Sequence, residues 1–263
     1  MRKHGLLAGV LLMTGIGHAH ADAEPLVRIC DDAAEWPPYS YYLREQGQKT
    51  DRLSGYSVDV ITRILNKHSI PFQIVLLPWK RCLAYLEQGD KYLMALSASK
   101  NPERETLYLF STPYYKTHYY LFYSKARNPT GMNVSSQADL NHYRLGGIHG
   151  YAYTALGEVD KTRMIRTAGY LELVKMLHAG RVDLFAEDYE VVVGMTAIGA
   201  YDFLGDPRLG MVPLAGVADN QFHMIFTRKN PRGQALQRLV NTELQAMQDS
   251  GELTRLLEAY VPP

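Results

Sequence analysis

The side chains able to do chemistry are dispersed along this chain, and few of them fall into catalytic spacing. Beyond the first twenty residues, His68, His118, His142, His149, His178 and His223 are scattered, with no HExxH pair to hold a metal. No GxSxG elbow presents a serine nucleophile. The run GGIHG lacks the GxGxxG spacing of a dinucleotide loop. Enzyme chemistry would need a poised proton donor, for which Glu187 or His149 could be named, and no motif supports either. The chemistry that remains is recognition. Arg104, in the charged run KNPERE, carries a guanidinium that can meet a carboxylate through two parallel hydrogen bonds. Trp36 and Trp79, the only tryptophans, can flank an aliphatic stem or attract a cation over their faces. Ser97 and Ser99 offer hydroxyls where a strand is expected to end, which is where open α/β sheets bind ligands. Each has a plainer reading: a surface arginine, core tryptophans, ordinary turn serines.

Alternating strands and helices must position these groups. Leu26–Cys30 reads as a strand leading into Pro37-Pro38 and a polar loop, and Gly55 opens a helix with Val58, Ile61, Ile64 and Leu65 on one face. A strand at Phe72–Leu77, a helix after Pro78 stopped at Gly89, and a strand at Tyr92–Leu96 complete a βαβαβ order, which implies a parallel sheet covered by helices. The same grammar repeats: strands at Arg144–Ile148, Met164–Thr167 and Val182–Ala186, with helices from Gly150, over Tyr170–His178 and over Asp188–Ala197. Two turn-free extended runs, Tyr119–Lys125 and Gln221–Lys229, flank this second unit and read as crossover strands. Apolar Leu236, Val240, Leu244, Met247, Leu253, Leu256 and Leu257 mark C-terminal helices that return to the first unit.

The N-terminus has the parts of an export signal: Arg2 and Lys3, an apolar run from Leu6 to Ile16, and the small residues of Ala19-His20-Ala21. That run is shorter than the roughly 20 residues that span a bilayer. Cleavage before Asp22 would send the chain to the periplasm. It would leave 26 Lys+Arg (28 less Arg2 and Lys3) against 27 Asp+Glu, near neutrality. This balance, with no basic run, argues against a nucleic-acid partner. Cys30 and Cys82 are the only cysteines; in an exported protein they are either a disulfide or two buried thiols. No metal or cofactor is implied.

WPPYSYY, GYSVDVITRIL, LPWKRCLAYLEQG, SASKNPERETLYLFSTPYY, LGGIHGYAY and LVKMLHAGRVDLFAEDYEVV stand in one order along nearly the whole chain after residue 21. In these the sequence resembles the extracellular solute-binding proteins of family 3, the polar-amino-acid class, most specifically in NPERETLYLFSTPYY. The resemblance implies a type II periplasmic-binding-protein fold of two α/β lobes, with residues 22–120 and 223–263 in one and 121–222 in the other. The lobes would hinge shut on a small polar ligand and deliver it to an inner-membrane ABC permease, the protein acting as a monomer. A sensor for a membrane receptor, or an exported dehydratase, are the alternatives on the same fold. The resemblance puts Arg104 on a ligand α-carboxylate, helped by Ser97 and Ser99, and sets Trp36 and Trp79 on either side of the ligand. It puts Asp188 on an α-ammonium, although Asp188 suits a helix N-cap equally and Glu187 could take its place. Gly150-Tyr151-Ala152 departs from the Gly-Ser/Thr-Thr of many members. The amides at a helix start remain, but the hydroxyls are missing and bulky Tyr151 enters the cleft. A smaller ligand, a modified amino acid and an aromatic compound therefore stand beside an ordinary amino acid.

Overall fold

A computed structural model describes residues 25–261. The expected export signal lies outside the described residues.

In chain order the first part runs β1 (Val27–Asp32), the hairpin β2 (Tyr41–Glu45) and β3 (Gln48–Ser54), α1 (Tyr56–Lys67), β4 (Phe72–Leu77), α2 (Trp79–Gln88), β5 (Met94–Ser99), α3 (Pro102–Leu107), β6 (Tyr108–Phe110) and β7 (Tyr115–Thr117). The second part holds β8 (Tyr119–Ser124), β9 (Leu145–Ile148), β10 (Ile165–Thr167), α4 (Tyr170–His178), β11 (Leu184–Asp188), α5 (Tyr189–Ala197) and β12 (Leu209–Pro213). The chain ends with β13 (Asn220–Thr227), α6 (Pro231–Asp249) and α7 (Glu252–Glu258).

The strands form two large sheets. The first has the order β4-β1-β5-β13-β6, with β7 also on β13; β1 is parallel to β4 and β5, and β13 is antiparallel to its neighbours. The second has the order β10-β9-β11-β8-β12, with β9 parallel to β10 and β11 and with β8 antiparallel on both sides. This is the α/β, periplasmic-binding type of architecture. Amphipathic α1 buries Val58, Val60, Ile61, Ile64 and Leu65, and α6 buries Leu236, Val240, Leu244 and Met247 in the same core. Apolar burial of this kind, at about 25 cal/mol per Å², is the main favourable term holding the layers together.

The structure corrects the sequence reading in three places. The supposed polar loop after Pro38 is the β2–β3 hairpin, whose Arg44 pairs with buried Glu35 at 2.7 Å. The two extended runs do not each span both sheets: β8 lies wholly in the second and β13 wholly in the first. The chain changes sheet at His118, between β7 and β8, and again across 214–219, between β12 and β13. Gly150 does not begin a helix, because residues 150–160 form turns. Gly150 (φ +82°) and Tyr153 (φ +47°) are left-handed, and Tyr151 and Tyr153 both turn inward to carboxylates. A helix would point residues two apart to different faces.

Cys30 and Cys82 are disulfide-bonded, tying β1 to α2 behind the carboxyl end of the strand. The sulfurs lie in an apolar cluster with Trp79, Leu86, Ala95 and Tyr108.

Candidate functional site

The carboxyl ends of β1 and β5, the start of α2 and α3, and the 148–153 turn meet between the sheets. They enclose a cavity with about 30 Å³ open to the centre of a water molecule. Trp36, Trp79, Ser97, Ser99, Arg104, Tyr151 and Asp188 all line it, so seven sequence-singled positions converge. Gly150 is absent from the lining, yet its carbonyl touches the site.

Arg104 is placed by the first turn of α3, where Asn101 caps the backbone N–H of Arg104 at 2.7 Å. Its guanidinium donates to the Ser99 carbonyl (2.9 Å), the Ser99 Oγ (3.1 Å) and, from the far side, the Gly150 carbonyl (2.9 Å). It lies over the Trp79 ring at 5.7 Å. Only 6% of Arg104 is exposed, and no carboxylate forms an ion pair with it among the described residues. Burial lowers its pKa to about 10, which still leaves it charged at neutral pH. An uncompensated buried cation is expensive, so this one is poised for an anion.

Acids surround it. Asp188, at the end of β11, stands at the N-cap position of α5 but makes no capping bond. It accepts instead from the Thr117 hydroxyl and from Asn220 Nδ2 (3.2 Å). The N-cap alternative therefore fails, and the carboxylate faces the cavity. Burial raises its pKa to about 7. Glu187 does not line the cavity and accepts from the hydroxyls of Tyr153 (2.8 Å) and Tyr170 (3.4 Å), with burial again raising its pKa. Alternation of side chains along a strand separates the two neighbours. His149 lines a different space, outside the cavity, so the pair named for proton chemistry does not share one chamber.

Sequence reasoning missed Asp31 and Asp32. β1 runs two residues past Cys30 and delivers both to the site, with Asp31 accepting from Ser40 Oγ (2.6 Å) and Asp32 from the Ala34 N–H (3.0 Å) and the Tyr151 hydroxyl (2.7 Å). Burial raises their pKa values to about 7 and about 6. The available signal was an acidic pair directly after an apolar strand, at the strand end where such sheets bind ligands. Tyr119, Tyr153, Asn220 and Phe222 complete the polar and aromatic lining and carried no comparable signal.

The Gly150 turn departs most from expectation. A Cβ there would lie 3.2 Å from Trp79 Cδ1 and 3.3 Å from the Lys80 nitrogen, tight contacts on a left-handed backbone that favours glycine. It presents a carbonyl to Arg104 and no helix-start amides to a ligand. Arg166 braces the turn by donating to the Ile148 carbonyl (2.8 Å) and the Tyr151 carbonyl (2.9 Å).

Two sheets joined by two chain crossings, with a charged aromatic cleft between them, define a two-lobed ligand-binding protein. The chain belongs to the bacterial extracellular solute-binding proteins, family 3, which it matches over residues 28–263. It is 22% identical over 225 residues to the L-cystine-binding protein TcyA of Bacillus subtilis (strain 168), covering 86% of this chain and 77% of that protein. The fold is shared with the amino acid ABC transporter substrate-binding protein AbpA from Streptococcus pneumoniae bound to L-arginine (TM-score 0.70, 21% identity, 90% of this chain and 94% of that one). It is shared also with the arginine-, lysine-, histidine-binding protein ArtJ from Geobacillus stearothermophilus (TM-score 0.71, 18% identity, 90% and 95%). Family and neighbours are binding proteins. Among the described residues no helix is long and apolar enough to cross a membrane.

Proposed function

We propose that this protein captures an amino-acid zwitterion in the cleft between its two lobes and presents it, as an exported monomer, to an inner-membrane ABC permease. The single observation that carries the reading is the buried, unpaired guanidinium of Arg104 sharing one cavity with the buried carboxylate of Asp188. An α-carboxylate on the first and an α-ammonium on the second give each charge its partner, at the energy scale of charge-assisted hydrogen bonds. Trp36 and Trp79 flank the ligand between them. The similarity to binders of cystine, arginine, lysine and histidine supports the ligand class. The export signal supports a periplasmic location.

The test is isothermal titration of the mature chain from Asp22, unfolded and refolded to strip carried-over ligand, against the common amino acids. At least one should bind with micromolar affinity or better, about −8 kcal/mol. Arg104→Ala should lose at least 100-fold, because the ligand's carboxylate would be desolvated without a partner. Wild-type affinity in that variant, or no binding across the panel, would remove the proposal.

A further inference from the structure

Away from the cavity, the two lobes also meet backbone to backbone. Gly194, in α5 of the second lobe, packs on Pro37 and Pro38, in the loop between β1 and β2 of the first, and all three residues are buried. A Cβ at Gly194 would lie 2.6 Å from the Pro37 carbonyl carbon, 2.6 Å from its oxygen and 2.9 Å from the Pro38 nitrogen. Real Cβ atoms essentially never come closer than 3.0 Å to such neighbours. All three atoms belong to backbone, so no flexible side chain can turn aside to make room. Gly194 sits within α5 without a positive φ, so its conformation alone does not call for glycine. In a helix interior alanine is the better choice. What the glycine secures is the close approach of one lobe to the other.

Both partners of this contact are tied to the site. Trp36, the neighbour of Pro37, lines the cavity and donates its Nε1 to the Tyr115 hydroxyl at 3.1 Å. The loop is fastened to its own lobe: the Trp36 N–H donates to the Ser40 carbonyl (2.8 Å), and the Pro38 and Tyr39 carbonyls accept from the N–H groups of Tyr56 and Ser57 (2.9 Å each) at the start of α1. On the other side, α5 begins directly after Asp188, which also lines the cavity. Gly194 stands about 9 Å further along that helix, at 1.5 Å of rise per residue. Around it Val191, Val192 and Met195 join the apolar cluster that holds Trp36 and Tyr39. Neither Gly194 nor Pro37 lines the cavity itself. The contact therefore fixes how near Trp36 and Asp188 come to each other without touching what lies between them.

We propose that Gly194 is the seat on which the second lobe comes to rest against the first, a positioning residue whose missing side chain lets α5 reach the Pro37 backbone and the cleft close fully over its ligand. This rests on the reading of the cleft as a ligand site on which the lobes close. A methyl group at this position holds α5 off the loop, and because both sides are backbone fixed within their own lobes, the strain is relieved by parting the lobes. In an open protein the two surfaces stand apart and the same methyl meets nothing. Gly194→Ala thus separates closure from folding: it opposes the first and, through helix propensity, favours the second.

The test compares wild type with Gly194→Ala, each unfolded and refolded to strip ligand, against the common amino acids. Isothermal titration should find the amino acid that wild type binds most tightly held about 10- to 100-fold more weakly by the variant, the range that overpacking a close contact gives. Stopped-flow tryptophan fluorescence should place that loss in faster dissociation, with the association rate within about twofold of wild type. Small-angle X-ray scattering should show wild type contracting when saturated with that amino acid and the variant staying near its ligand-free size. The ligand-free variant should melt level with wild type or a few degrees above it. Wild-type affinity in the variant, or a full contraction on saturation, overturns the inference and leaves the ligand site standing. A ligand-free melting temperature several degrees below wild type overturns it too, because Gly194 would then be needed for packing with or without closure. Absence of binding by every amino acid to wild type removes this inference and the proposed function together.

Discussion

The two walls of the cleft are built on different principles. The first-sheet wall consists of element ends: the last residues of β1 and β5 and the first of α2 and α3, with Cys30–Cys82 locking strand to helix behind them. The opposite wall is a turn, held by Arg166 from behind and by Tyr151 and Tyr153 hydroxyls to carboxylates. Damage to the first should unfold the protein, whereas damage to the second should alter only what binds.

The largest expected effect is on the first wall. Replacing Cys30 and Cys82 by serine opens a 52-residue loop, which chain entropy puts at about 4 kcal/mol. The melting temperature should fall by more than ten degrees, a shift that calorimetry reads directly. A loss of only a degree or two would mean that this wall is held by packing alone and would blur the contrast.

Acidity comes next and tests the seam between the walls. Asp31 and Asp188 hold folded pKa values of about 7, raised by burial from 3.8, and Asp32 of about 6. A carboxyl with a raised folded pKa keeps more protons folded than unfolded, so stability falls as pH climbs from about 4 to 7 and then levels. The stripped protein should therefore melt highest near pH 4 and lose a few kcal/mol by pH 8, against the usual acid sensitivity. A flat or rising melting profile over that interval would show that these carboxyls sit in more water than their burial indicates.

The smallest effect belongs to the turn. Arg166→Ala removes two bonds to carbonyls on a half-buried residue, worth about 1–2 kcal/mol together. Ligand affinity should weaken about tenfold while the melting temperature falls by only about 2–8 °C, less than the disulfide loss costs. A drop as large as that caused by losing Cys30–Cys82 would make the two walls alike.

The same division governs how much could be read from the chain. β1, β4, β5, α1 and α2 follow from hydrophobic periodicity and from Pro and Gly boundaries, so side chains at their ends fall where βαβ grammar puts them. Arg104 and Asp188 needed the family resemblance as well, since an arginine in KNPERE looks solvated by composition alone. The second wall resisted reading. Gly150 followed by YAYTAL has the composition of a helix start, and nothing local shows that Tyr151 and Tyr153 are drawn to Asp32 and Glu187, 119 and 34 residues away. Long-range hydrogen bonds overrode local propensity. Asp31 and Asp32 were missed for the opposite reason: their strand was ended at Cys30, two residues early, because acids are rare within strands.

Asp188 takes its two donors from Thr117 and Asn220, one at the last residue before the first crossing and the other at the first residue of the strand after the second. Points beside a pivot move least when the arms swing. When the lobes part, the bonds at Arg104–Gly150 and Tyr151–Asp32 must break, while the Asp188 cradle keeps its shape. On the zwitterion proposal, the open protein would retain a half-formed site next to its axle, the Asp188 cradle that the proposal assigns to the ammonium. Under that proposal capture would be a sequence of events, anchoring first and enclosure second, with the timing written into where the chain crosses.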